Sequence, residues 1–315
     1  MKKLIAVLLT LMLVGTAFGA LADGLTFTTG GTSGTYYAFG NVLAQYITNN
    51  SDVAVTAVAG NGSAANIDLL DLGDAQLALV QNDVASYAYN GLNNYEDGAI
   101  TSFTALAALY TETVQLVTCN PDIKSVADLK GKNVSIGSAG SGVYFNALDF
   151  LAAYDMTLDD INPQYLSFGD SAESLKDGKI DAAFVVAGAP TPAVTDLCNT
   201  KGAYLVNLDD DHVTKLQAIS AAYARSVIPG GTYKGIDDDV TTVGIKATII
   251  ANGDVTDDQA YTIVKTIFDN AAAITEAHAK GAELDLAYAS DCGLPYHAGA
   301  ARYFAEHDIT VAIAD

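Results

Sequence analysis

The sequence predicts an α/β protein of two lobes with mostly parallel sheets. Three observations carry that expectation. First, β-prone and helix-prone stretches alternate along nearly the whole chain, the pattern of strand–helix–strand units. Second, the chain has 315 residues, half of them hydrophobic, which is enough core for two lobes. Third, two long extended stretches, "FTALAALYTETVQLVT" and "YKGIDDDVTTVGIKATIIAN", bracket the middle third. They are placed to carry the chain from one lobe to the other and back.

The elements follow in order. "LTFTT" reads as a strand leading into a helix, "YYAFGNVLAQYI". "VAVTAVA" leads into "SAANIDLLDLG", and "QLALVQ" into "DVASYAYNG". "FTALAALYTETVQLVT" reads as one or two long strands, and "NPDIKSVADLKGK" as a surface turn with a short helix. "NVSIGSAGSG" then precedes the helix "VYFNALDFLAAYD", "YLSFGD" precedes "SAESLKDG", and "DAAFVVAGAP" precedes "TPAVTDLCN". "AYLVNL" runs into "DDDHVTKLQAIS". After the return stretch, "TDDQAYTIVKTIFDNAAAITEAH" reads as one long helix with Thr256 at its N-cap. A last helix begins near "AGAARYFAEH". The expected division is residues 23–115 and 240–315 for lobe one and 116–239 for lobe two.

The first 22 residues read as an export signal. Lys2 and Lys3 form a basic start, Leu4 to Ala17 an apolar run, and Ala20 to Ala22 a small-residue cleavage site. The run is too short and too early to favour a membrane span. No cysteine stands at the cleavage site, so a lipid anchor is not expected. The mature chain is expected free and monomeric in a bacterial periplasm.

The formal net charge is −22, which makes nucleic acid a poor partner. Lysine and arginine are absent from Leu4 through Ile123. An anion held by that segment alone must rest on backbone NH groups, hydroxyls and amides.

Three glycine-rich loops stand between a strand and a helix: "TGGTSGTYY", "AGNGSAAN" and "GSAGSGVYF". Their glycines allow close backbone approach, and the helix that follows offers free NH groups to a carboxylate or phosphate. Thr32, Ser33, Thr35, Ser63, Ser138 and Ser141 add hydroxyl donors. Gly, Ser and Thr also cap helices and turn chains without any ligand. Three such loops in one α/β chain favour a site, because ligands of open α/β sheets gather where these loops lie. Tyr36 and Tyr37 are neighbours on a helix, so at most one faces a ligand well.

Other chemistry is thinly supported. "GNGSAA", Gly60 to Ala65, fits G-x-G-x-x-A, with Asp83 some way on, but the segment is acidic and free of cations. "GSAGSG" lacks the Lys-Ser/Thr ending of a phosphate loop, and no loop forms the G-x-S-x-G elbow. His212, His278, His297 and His307 form no close metal pair; His297 could fix the start of the last helix. The acidic runs at Asp209–Asp211 and Asp237–Asp239 lack the spacing of an EF-hand loop. Arg225 could reach a ligand carboxylate or serve the surface. Cys119, Cys198 and Cys292 allow one disulfide or three thiols. The chain reads as a non-enzyme without cofactor or metal.

Several of these blocks together resemble a known family. "TFTTGGTSGTYYAFGNVLAQYI" looks like the opening of the TAXI family, the solute receptors of TRAP transporters, and "GNGSAANIDLLDLGDAQLALVQNDVASYAYNG" continues it. "SVADLKGKNVSIGSAGSGVYFNALDFLAAY", "LKDGKIDAAFVVAGAPTPAV", "IPGGTYKGIDDDVTTVGIKATIIAN" and "PYHAGAARYF" follow in the same order. The resemblance implies a type II periplasmic binding protein fold, with a ligand cleft between two hinged lobes. It implies a receptor that delivers a small organic anion or amino acid, such as glutamate, glutamine or a dicarboxylate, to a TRAP membrane permease subunit. By motif position, Thr32, Ser33, Gly34 and Tyr36 would touch the solute, with Asn61, Ser63, Asn66, Gln81 and Asp83. Lobe two would contribute Ser138, Ser141, Gly142 and Val143, with Gly188 and Pro190 nearby.

Overall fold

The computed structural model describes residues 24–314; the export-signal expectation lies outside them. Strand β1 (Leu25–Thr28) leads to helix α1 (Thr35–Asn50), β2 (Val55–Val58) to α2 (Ser63–Asp71), and β3 (Leu77–Gln81) to α3 (Asn82–Asn90). Then β4 (Phe103–Thr118) runs unbroken for 16 residues. Its Ala, Leu, Val and Thr suit a strand buried on both faces. The middle third is β5 (Asn133–Ser135), α4 (Val143–Ala153), β6 (Asn162–Gln164), α5 (Phe168–Lys176), β7 (Ala182–Ala187), α6 (Pro192–Thr200), β8 (Tyr204–Leu205), α7 (Asp210–Ile219) and β9 (Ala224–Ile228). The return strand β10 (Val240–Asn252) precedes α8 (Asp257–Asp269), α9 (Ala271–Ala277), α10 (Leu286–Ala289) and α11 (Ala298–Ala305).

The strands pair in the order β2-β1-β3-β10-β4-β7-β5-β6, with β8 on β4 and β9 on β10. Pairing is parallel within β2-β1-β3 and within β7-β5-β6. Every pairing made by β4 or β10 is antiparallel. The parallel expectation therefore fits the two triplets and misses the two crossing strands. Those strands pair with each other from Phe103 to Thr113 and from Gly244 to Asn252, then part. Beyond that point β4 takes β7 as partner and β10 takes β9.

The cores divide at the same place. One hydrophobic cluster draws on residues up to Tyr110 and from Ala247 onward, with Phe145 of α4 joining it. Two others draw on Val114 to Ile245.

Three local readings are corrected. "YLSFGD" is not a strand: β6 ends at Gln164, and the Ser167 hydroxyl accepts from the Asp170 NH at 3.1 Å and starts α5. Pro163 is tolerated in β6 because β6 lies at the sheet edge. The long C-terminal helix is two helices. Asn270 leaves helical geometry (φ −119°, ψ 21°), and its side chain donates to the Thr266 carbonyl at 2.9 Å, the local competition that lets Asn end helices. Strand β9 was not anticipated; it exists because β10 gives it a partner. Thr256 does cap α8, in a reciprocal box with Gln259.

Candidate functional site

The three glycine loops meet at one cleft of about 190 Å³, lined from both lobes. The β1–α1 loop supplies Thr32, Ser33 and Gly34, and the first turn of α1 supplies Tyr36; the β2–α2 loop and the start of α2 supply Asn61 and Ser63. Gln81 lies at the end of β3. Ser138, Ser141 and Val143 come from the loop before α4, Ser167 to Gly169 from the start of α5, and Val186 and Ala187 from the end of β7.

How these helices begin matters most. The N-caps of α1, α2 and α4 are Gly34, Gly62 and Gly142; no side chain accepts from the first turn of α1 or α2, while at α4 the Ser141 hydroxyl accepts from the Val143 NH at 3.3 Å. By contrast α5, α7, α8 and α11 start under Ser167, Asp209, Thr256 and His297 side chains that accept such a bond. Glycine at the cleft-facing caps leaves NH groups and partial positive charge open to a ligand.

The lobes touch directly around the cleft. Ala65 donates its NH to the Gly140 carbonyl at 2.9 Å, and Ala193 donates to the Ser33 carbonyl at 3.3 Å. The Thr35 hydroxyl donates to the Gly188 carbonyl at 2.8 Å. Beneath them runs a buried polar chain. The Gln81 amide donates to Asn146 Oδ1 at 2.7 Å, and Asn146 Nδ2 donates to Asp83 Oδ2 at 2.9 Å and to the Tyr223 hydroxyl at 2.8 Å. Tyr223 in turn donates to Asp149 at 2.8 Å. Burial pushes both carboxyls, Asp83 and Asp149, up to about 6.

Gly142 is needed where this chain meets the cleft. A Cβ there would stand 2.2 Å from Gln81 Oε1. Gly142→Ala should cost ~1–3 kcal/mol of stability by overpacking, read as a lower thermal midpoint; an unchanged midpoint would show that Gln81 is free to move aside.

Other sequence candidates fall behind the walls. Asn66 is fully buried and fastens the first two loops, donating to the Thr29 carbonyl at 2.6 Å and the Leu79 carbonyl at 2.8 Å. Asp83 lies in the buried chain. Gly142 and Gly188 are buried beside the cleft, and Pro190 is exposed; none of these three is on its walls. Of the two adjacent tyrosines, Tyr36 faces the cleft and Tyr37 does not. Arg225 pairs with Asp210 at 2.5 Å on the surface. His297 caps α11, its Nδ1 accepting from the Gly299 NH at 3.2 Å. Asp209 caps α7, and Asp239 accepts from the Gly230 NH at 2.8 Å. Among the described residues the three cysteines are unbridged and no His/Cys/Asp/Glu cluster could hold a metal.

Several wall residues were missed: Ser167, Phe168 and Gly169 at the start of α5, Val186 and Ala187 at the end of β7, and Glu112. Glu112 of β4 lies in the cleft, buried, with the Tyr36 hydroxyl donating to its Oε2. Burial pushes its carboxyl up to about 8, with the Tyr36 hydrogen bond opposing. Its signal was present: one carboxylate inside an otherwise uncharged 16-residue strand.

Residues 27–307 match the NMT1-like family along nearly all of the described chain. This chain belongs to the NMT1-like family. Solved structures agree with this NMT1-like chain in fold. A structure from Bordetella bronchiseptica RB50 superposes with a TM-score of 0.56 at 15% identity, covering 90% of this chain and 89% of that one. The alkanesulfonate-binding protein SsuA from Xanthomonas axonopodis pv. citri, bound to MOPS, gives 0.50 at 16%, covering 90% and 91%. The GluR0 ligand-binding core from Nostoc punctiforme, in complex with L-glutamate, gives 0.50 at 14%, covering 81% and 98%. The NMT1-like chain thus has the type II periplasmic binding protein fold. Among its described residues no helix is long and apolar enough to cross a membrane.

Proposed function

We propose that the protein is an extracytoplasmic solute receptor that binds a small organic anion or amino acid and hands it to a membrane permease. The observation that carries the reading is the convergence of three glycine-capped helix N-termini on one cleft between two lobes. Such amides hold a carboxylate without any cation. The solute contacts are Thr32, Ser33, Gly34, Tyr36, Asn61, Ser63, Gln81, Ser138, Ser141 and Val143. Asn66, Asp83, Gly142 and Gly188 hold those walls in place, and Pro190 lies outside them. The lobes turn about β4 and β10 where these strands part, near Thr113 and Gly244, so closure buries the solute and strengthens its hydrogen bonds.

The partner in this reading is a TRAP permease of the TAXI type, on the motif order above. The receptor works as a monomer in the periplasm after loss of residues 1–22, and needs no cofactor. The same fold also serves a second reading, a receptor for an ABC importer or a sensor kinase. A neighbouring gene for a large multi-span permease favours the first; an ATPase or a histidine kinase favours the second.

A thermal-shift screen of organic acids and amino acids tests the receptor reading. Binding should stabilise the protein by about 2.7 kcal/mol at a hundredfold excess over the dissociation constant. No shift with any member would refute it. Ser141→Ala should weaken the bound solute about three- to tenfold, the loss of one hydrogen bond, and leave the ligand-free protein folded, with at most a small drop in midpoint from losing the Val143 NH bond to its hydroxyl. Unaltered affinity would remove Ser141 from the contacts.

A further inference from the structure

Among the described residues Glu112 is the one acidic side chain on the walls of the cleft, and no lysine, arginine or histidine stands there with it. The residue is 2% exposed. Tyr36 serves Oε2. Among the described residues Oε1 has no hydrogen-bond partner and is not sealed from solvent, which leaves it facing the cleft. Its ionisable neighbours are Tyr36 of α1, Asp83 of α3, Tyr110 on its own strand, Tyr288 of α10 and Lys280 of the turn before α10.

Lys280 is committed elsewhere. Its Nζ pairs with Glu283 Oε1 at 2.5 Å and lies 5.4 Å from the Tyr110 ring centre. The Lys280 charge opposes the upward shift of Glu112 without overcoming it, and a desolvated carboxyl with no directly paired cation is destabilising. The cleft around it is rich in amides suited to an anion. One group of a solute must answer the amides and another must answer Glu112.

We infer that the solute is an amino-acid zwitterion: its ammonium docks on Glu112 and its carboxylate rests on the amides of the glycine loops. This rests on the receptor reading and narrows it from small anions at large to those bearing an amine. The same acid without the amine leaves Glu112 unanswered and binds less tightly.

Capture releases a proton. The empty carboxyl sits at about 8, so near neutrality it is mostly protonated, and pairing with an ammonium requires it ionised. The solute amine keeps its proton, and the Glu112 proton leaves to buffer. Affinity is therefore greatest above pH 8 and falls as pH drops. Between pH 8.5 and 6.5 the loss is roughly twenty-five-fold for one proton released. Asp83 titrates at about 6, below that window.

Isothermal titration of the protein tests this, with the protein amino acids set against glutarate and 2-oxoglutarate, in phosphate and in Tris. The expected result is an amino acid binding about tenfold or more tightly than amine-free acids, with buffer-dependent heat from nearly one released proton. Glu112→Gln keeps the shape of a protonated carboxyl. It should lose roughly a hundredfold in affinity and flatten the pH profile, while a melting curve as high as the parent's shows that it folds. A neutral Glu112 that donates to an anion predicts the reverse. Amine-free acids binding as tightly, or Glu112→Gln binding the amino acid undiminished, overturns the inference and leaves the receptor reading standing. No heat from any member overturns both.

Discussion

Glu112→Gln should make the ligand-free protein more stable at pH 8 by about 3–5 kcal/mol, and the gain should shrink towards zero near pH 4. The cause is burial. The carboxyl, ordinarily at 4.5, sits at about 8 in the fold. Between those values the folded state holds a proton that the unfolded chain has released. Stability therefore falls as pH rises through the window and levels off above it. Asp83 and Asp149, both at about 6, act in the same direction. The ligand-free parent should lose stability from pH 4 to 8, with Glu112 the largest single share. Glutamine keeps the shape and removes the charge, so the variant should escape that share. Urea unfolding at pH 4 and pH 8 measures it. Equal midpoints for parent and variant at pH 8 would show that Glu112 is compensated within the empty fold.

Asn146→Ala should be the most damaging single truncation in the buried polar chain, at about 3–5 kcal/mol. Asn146 is fully buried and makes three hydrogen bonds, to Gln81, Asp83 and Tyr223. Gln81 and Asp83 flank the start of α3, while Asn146 and Tyr223 belong to the other lobe. Removing the amide strands buried partners on both sides at once. Asn146→Asp should be worse at pH 8, where a second carboxylate faces Asp83, and milder near pH 5, where a shared proton restores a donor. Urea midpoints across that range give the sign. A cost under about 1 kcal/mol for Asn146→Ala would mean that water replaces the amide and the chain carries little of the contact between lobes.

Much of this arrangement was legible before the fold. Strand–helix alternation and the glycine loops are local signals, and loop chemistry says where a helix starts. So Thr32, Ser33, Ser63, Ser138 and Ser141, read as loop donors, line the cleft, as does Asn61, which only the family resemblance named. What stayed hidden depends on partners far along the chain. Thr35 was read as one more donor, yet its hydroxyl is spent on Gly188, 153 residues away. Phe168 and Gly169 were placed in a strand, and only the Ser167 cap turns them towards the cleft. Asn66 and Asp83 have the chemistry of ligand contacts, but burial by the neighbouring strands gives them structural partners instead. Glu112 was the exception: a carboxylate in an uncharged strand, visible but unweighed.

The placement of β10 also sets an order of events during synthesis. It lies between β3 and β4 in the sheet, so the first lobe cannot close its sheet until the chain has been made as far as Asn252. The second lobe's clusters are complete once Ile245 exists, whereas the first still needs Ala247 to Phe304. A nascent chain leaving the ribosome should therefore finish the middle of its sequence before its beginning. Until then the facing edges of β3 and β4 stay unpaired, and stalled chains ending between the two crossings should be the ones that aggregate or recruit chaperones.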